Sequence, residues 1–296
     1  MQEKLRGSYQ HASTFAGKLD INRIIKTAYE HVKSRRGPFL GAMGWTVLLL
    51  FVAMIFVAIL AEVIGVDVNE GVGQILSVAI QTLILAPCVA GLYWVSLKTT
   101  LHIKSNREDF FLFFQNPWRI IGTAIITALV SQLGLLFGMA VGIIWMMFAQ
   151  ILFTFAIPMA ALYQAKPFAA VLGSAQIIWK NIGAFFIFHF VMFVLYLLIA
   201  VAATILVAFA TAGGAGVYAA VVGGLVLTYV LFTRVIPLYF FTIAESYRIL
   251  FAVSTDEDDT SNSTFTNNPV VDPEPDQSSD ADDSLSRPNR DDDFRA

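Results

Sequence analysis

The chain has 296 residues, of which 57% are hydrophobic and 14% charged, and its mean hydropathy is +0.68; soluble domains carry about 25% charged residues, so most of this chain belongs in lipid. The net charge of −3 is unevenly spread: residues 254–296 hold thirteen Asp or Glu against three Arg, a net −10, which leaves about +7 for the rest. The single cysteine, Cys88, excludes an internal disulfide and a Cys-based metal site.

Residues 1–17 are polar and are expected to form a flexible N-terminus, with no apolar core ending in a small-residue cleavage site. The first span is therefore expected to act as the insertion signal. From Asp20, a good N-cap, INRIIKTAYEHVKSRR places Ile21, Ile24, Ile25, Ala28, Tyr29 and Val32 at helical spacing, opposite Arg23, Lys26, Glu30 and Lys33. Such a helix is expected to lie flat in the headgroup region. Gly37-Pro38 ends it.

Apolar runs near residues 40–62, 74–97, 118–138, 142–164, 182–210 and 217–242 are each long enough to cross a hydrocarbon core of about 30 Å. They lack the period-2 alternation of barrel strands, and backbone groups cannot go unpaired in lipid, so all six are predicted to be helices. Residues 18–252 thus read as one all-α polytopic membrane helix bundle, and 253–296 as a disordered acidic C-terminal tail too poor in apolar residues to fold.

The links between spans one and two, three and four, and five and six contain Asp67 and Glu70, or no charge at all. Lys98, Lys104, Arg107, Lys166 and Lys180 occupy the other links. Lys and Arg outside the tail thus fall on the N-terminal side of the membrane, apart from Arg234 inside the last span. By the positive-inside rule both termini are expected in the cytoplasm. Trp45, Trp94, Trp118, Trp145 and Trp179 fall near predicted helix ends, as interfacial anchors do.

One arrangement occurs three times. The stretch SNREDFFLFFQNPWRIIGTAI, residues 105–125, is a short Phe-rich surface segment feeding a span; the helix after Asp20 precedes span one, and PFAAVLGSAQIIWKN precedes span five. Span entries read Gly37-Pro38-Phe39, Asn116-Pro117-Trp118 and Asn181-Ile182-Gly183 followed by Phe185, and the returning spans carry Pro87, Pro158 and Pro237. The unit is a surface helix plus a membrane hairpin, repeated at roughly 70–80 residues. A proline in a spanning helix removes a hydrogen bond and favours a kink, so the returning helices are expected to splay at the cytoplasmic side.

Arg234 is the most unusual residue, because a charge within a span is costly. It reads either as part of an anion or proton path, or as a side chain in the cytoplasmic third that snorkels or pairs with a carboxylate such as Glu245. Glu245 also precedes Arg248 by three residues, the spacing of an ion pair on one helix face. His189, Gln81, Gln132 and Gln150 lie within spans. They read as a polar pathway or as interhelical hydrogen-bonding glue. Glu62 is expected to reach water at the outer end of span one.

No phosphate loop, HExxH, GxSxG elbow or His and carboxylate cluster is present. The chain is accordingly expected not to be an enzyme and to need no cofactor or metal, the acidic tail lacking the fixed geometry of a calcium loop. Nucleic-acid binding is not expected, since the basic residues are spread along a membrane-facing rim.

The surface helix before span one, APCVAGLYWVSLK with EDFFLFFQNPWR, and AIPMAALYQAKPFAAVLGSAQIIWKN together resemble a broad group of uncharacterised bacterial six-helix inner-membrane proteins. That group includes YciC-like proteins and the membrane domain fused in front of some glycerophosphodiester phosphodiesterases. The resemblance covers roughly residues 18–252 and implies a six-span bundle without established chemistry. No catalytic phosphodiesterase domain is present, so that activity does not carry over. The expected protein is a multi-pass bacterial inner-membrane factor whose partners are membrane lipids or proteins at its cytoplasmic face. The alternative is a small-molecule transporter or channel with a polar path between the repeats.

Overall fold

The computed structural model describes residues 8–15, 18–65, 67, 71–211 and 213–253. Of the acidic tail expected over 253–296 only Val253 is described; residues 254–296, residues 1–7, 16 and 17 of the expected flexible N-terminus, and Glu70 lie outside the described residues. Every regular element among the described residues is helical, and six helices are long and apolar enough to cross a membrane. The protein is a multi-pass membrane protein with an all-α fold.

After a short helix α1 (Tyr9–Thr14), three units follow in order. In the first, α2 (Ile21–Arg35) leads into the hairpin of α3 (Gly37–Ile64) and α4 (Gly71–Thr100). Pro38 opens α3 in its first turn, and Gly65, at φ 74°, ends it in the left-handed conformation that glycine adopts without penalty. The second unit has α5 (Arg107–Phe111), which tightens into a 3-10 turn at Leu112–Phe114. Its hairpin is α6 (Trp118–Gln132), extended by a 3-10 turn to Phe137, α7 (Met139–Leu152) and α8 (Ala156–Leu162). In the third, α9 (Pro167–Lys180) leads into α10 (Ile182–Thr211), which pairs with α11 (Ala215–Val230); a π turn at Leu231–Val235 then joins α11 to α12 (Ile236–Leu250). This is the threefold repeat of surface helix plus hairpin.

In the first and third returning arms the proline marks where the arm becomes protein-buried, whereas in the second burial already begins before Pro158, at Ala149, Ile151, Phe155 and Ala156. Beyond Pro87 come buried Cys88, Ala90, Leu92, Val95 and Leu97; beyond Pro158, Met159 and Ala160; beyond Pro237, Phe240, Phe241, Ile243 and Ala244. α2, α5 and α9 pack on these segments, α2 on α12, α5 on α4 and α9 on α8. The result is one aromatic-rich core at the basic end of the bundle. Phe39 meets Phe240 and Phe241 at 5.4 and 5.6 Å between ring centroids, and Phe155 meets Phe185 and Tyr247 at 5.3 and 5.6 Å. At the opposite end burial is sparse and limited to small or β-branched residues such as Ala53, Val57 and Ala61 of α3: α11 has no buried residue, and the buried residues of α10, Phe185, Phe188 and Met192, all lie in its first three turns. The expected splay at the basic side is therefore not seen: the arms are packed together there. Beyond each proline, large apolar side chains meet protein, which holds the arms together; on the other side they meet lipid, which is as apolar as another helix and supplies no drive to close.

Three further expectations are corrected. α2 does not rest on lipid alone: Ile21, Ile24, Ala28 and Val32 are buried against the core, while Tyr29 is half exposed. Its apolar stripe has a protein partner in α12, which packs against it. Trp94 is buried, T-shaped against Phe113 at 6.5 Å, rather than anchored at the lipid interface. Finally, part of the N-terminus expected to be flexible forms α1. Ser8 caps it, Ala12 is buried, and the Ser8 amide donates to the Phe251 carbonyl at 2.9 Å, tying the two ends of the described chain together.

Candidate functional site

The polar residues singled out within the spans converge only in part. Gln81 donates to Ser77 Oγ, one turn away on α4, at 3.0 Å. Gln132, at the end of α6, and Gln150, on α7, are both exposed on the protein surface. His189 Nδ1 lies 2.9 Å from the Phe185 carbonyl, so it carries the proton, and Nε2 lies 3.3 Å from Thr154 Oγ1 across the helix interface. The Thr154 hydroxyl also lies 2.7 Å from the Ile151 carbonyl and 3.1 Å from the Gln150 carbonyl, and its one proton is shared among these acceptors. Gln150 and His189 thus share one neighbour at the break between α7 and α8, and no hydrogen bond joins any two of the five residues among those described.

Arg234 falls in the π turn between α11 and α12. The arm from Ala215 to Leu250 has 36 residues, roughly 54 Å at 1.5 Å per residue, far more than a core of about 30 Å requires. A core crossed from Ala215 onward needs about 20 residues, a length that ends near Arg234. A second observation agrees: Arg36, just before span one, donates from Nη1 to the Thr233 carbonyl at 3.4 Å. That carbonyl has lost its helical donor to Pro237, four residues on. Glu245 is bound elsewhere, in a two-pronged pair with Arg248 at 2.9 and 2.6 Å.

The polar groups that do cluster lie at the basic end. His31 on α2 is buried, 5.7 Å from the His102 ring and 6.1 Å from Phe241. Arg35 Nη1 approaches His102 Nδ1 at 2.7 Å, so that nitrogen must present its lone pair, because a guanidinium only donates. Burial lowers the pKa of His31 from its ordinary value of 6.5; Glu245 pulls upward, and His102, Arg35 and Arg248 push further down. Nearby, Asn106 and Asp109 form a capping box for α5, and Asp109 pairs with Lys98 at 2.9 Å. Helical spacing foreshadowed His31, which falls on the apolar face with Ile24 and Ala28. Nothing in the sequence brought His102 or Glu245 to it.

Two clefts open at this end. One, of about 210 Å³, lies between the turn at Leu112–Asn116, the first turn of α6 and Gln164 just past α8. The other, of about 530 Å³, is an apolar groove along α9 between Leu152 and Trp179, where Lys180 donates to the Ser13 carbonyl. Among the described residues, no group of three or more His, Cys, Asp or Glu is placed to hold a metal ion. Comparison with protein-family models, with curated proteins and with solved structures finds no match.

Proposed function

We propose that the protein is a non-enzymatic factor of the bacterial inner membrane, with both termini cytoplasmic, that acts through lipid and protein contacts at its basic face. The distribution of burial carries this reading. The packed core, the amphipathic helices and the charged clusters among the described residues are gathered at one end, together with the two clefts described above, while the other end consists largely of lipid-facing helices joined by links without Lys or Arg. A protein built this way has its recognition chemistry on one side of the membrane. The resemblance to bacterial six-helix inner-membrane proteins supports the location.

The competing reading, a transporter or channel, needs water to reach the middle of the bundle. In a Cys88→Ser background, single cysteines replacing Gln81, Gln150 and His189 are treated with a membrane-impermeant thiol reagent from either side, with a cysteine at Lys104 as the loop control. The expected outcome is labelling of the control from the cytoplasmic side only and none at the three positions within the spans. Labelling at two or more of the three, from either side, would give the polar path to the transporter reading instead.

A further inference from the structure

We propose that the cleft formed by the Leu112–Asn116 turn, the start of α6 and Gln164 binds the phosphate headgroup of an anionic phospholipid. The inference rests on the lipid-contact reading above and gives that contact a place.

Depth is the first argument. The cleft lies where span three begins: Trp118, directly before Arg119, is 71% exposed, and an exposed tryptophan at a span entry sits at headgroup level. Polar Gln115, Asn116, Arg119 and Gln164 line it together with apolar residues that include Phe113 and Ala161. A ligand with a charged end and a greasy end fits such a lining, whereas a free anion would leave its apolar part uncovered.

Charge is the second. The Arg119 guanidinium donates to the backbone carbonyl of Gln164, a neutral acceptor, and among the described residues no carboxylate forms an ion pair with it. A guanidinium has five N–H donors in a planar fork, so most of them remain for an oxyanion, and the fork matches phosphate oxygens two at a time. The residue that holds Arg119 is itself in an uncommon conformation: Gln164 has φ 51°, a left-handed geometry that non-glycine residues seldom take. Surrounding contacts fix that turn, since Pro167 packs within van der Waals range of Gly122 on α6. The free amides of the first turn of α6 face the same end of the helix and add to the attraction for an anion.

Size is the third. A volume of about 210 Å³ is below the range of about 300–1,000 Å³ that encloses a whole drug-sized molecule. It suits a headgroup whose acyl chains remain in the bilayer.

The test uses the full-length protein purified in detergent, with native mass spectrometry reading the retention of added phosphatidylglycerol against phosphatidylcholine. Arg119→Gln removes the fork, and Ala161→Leu fills the cleft while leaving the arginine in place, so that a folding defect in the first variant leaves the second to decide. The expected result is preferential retention of phosphatidylglycerol by the wild type and a loss of about tenfold or more in each folded variant, the scale of one charge-assisted contact. Equal retention in wild type and both variants would overturn the cleft while leaving lipid contact standing. No preference for phosphatidylglycerol in the wild type would overturn the headgroup assignment, and no retained lipid at all would overturn the lipid-contact reading with it. Inorganic phosphate in millimolar excess is expected to leave the lipid bound; its displacement of the lipid would point to a soluble phosphate ligand instead.

Discussion

Ser174 shows how a single side chain repairs a broken helix in this protein. Between α7 and α8 the helix stops for three residues, which leaves the Leu152 carbonyl and the Phe155 amide without helical partners. The fully buried Ser174 of α9 serves both: its hydroxyl donates to the Leu152 carbonyl at 2.7 Å and accepts from the Phe155 amide at 3.1 Å. An unpaired buried polar group costs about 1–3 kcal/mol. Ser174→Ala strands two, so a loss of about 2 kcal/mol or more is expected, read as a lower melting temperature in detergent. Thr204→Ala, which removes an exposed hydroxyl bonded only to its own helix at the Ala200 carbonyl, is the comparison and is expected to leave the melting temperature within about 1 °C, in keeping with a near-neutral surface substitution. An equal effect of the two would remove the splice from the account. Arg36 plays a similar part at the carbonyl freed by Pro237. In both places a proline or a break creates an orphan, and a neighbouring repeat or segment answers it.

At the scale of the element, α2 is held to the core partly by a buried neutral histidine. His31 takes up a proton less readily in the folded protein than its ordinary 6.5, with burial the main cause. As pH falls below about 6.5 the unfolded chain is therefore protonated first, and stability declines until the folded value is reached, then levels off. Above 6.5 the contribution is fully present. Replacing His31 by Gln, which has no charged form, is expected to flatten this acid-side decline between about pH 7 and pH 5, the range in which histidine titrates. Thermal unfolding across that range measures it, and an unchanged slope would mean that His31 does not set the dependence. Helix positions were legible in the sequence because a run of about 20 apolar residues has few alternatives in a membrane. The end of the last helix was not: expected at 242, it continues to Leu250. Phe240, Phe241 and Ile243 are apolar because they enter a protein core, and hydropathy cannot tell that from entry into lipid. The π turn before Pro237 and the gap at 153–155 left no sequence signature beyond the prolines themselves. Of the candidate polar residues, Gln81 and His189 satisfy their needs on their own helix or the next, and residue type alone did not reveal which partner would be chosen. His102 and Glu245 were missed as neighbours of His31 because residues far apart in the chain meet only through the threefold packing of the arms.

For the whole molecule, the decisive property is that stability is concentrated at one end. Phe241 is fully buried at the basic end and touches both Phe39 and His31, so Phe241→Ala opens a cavity among groups fixed by several helices. Truncations of this kind cost about 3–5 kcal/mol. Leu225, on α11, is 67% exposed on the protein surface, and in the membrane its side chain lies among lipid tails. Leu225→Ala exchanges one apolar contact for another, because lipid chains fill the space and no hydrophobic drive between helices is lost. The expected change is within about 0.5 kcal/mol, as for substitutions away from packed features. Unfolding of the two variants in bilayer-like nanodiscs, compared with wild type, should therefore separate them by several kcal/mol even though both delete a large apolar side chain from a spanning arm. If Leu225→Ala destabilised as much as Phe241→Ala, the lipid-facing ends of the hairpins would have to be packed against protein. The occupant would then be another copy of the chain, since the links on that side bear no Lys or Arg with which to draw an acidic partner. With the expected asymmetry, the arms beyond the prolines act as anchors, and the folded, charged and cleft-bearing end is the part of the molecule that meets its ligands.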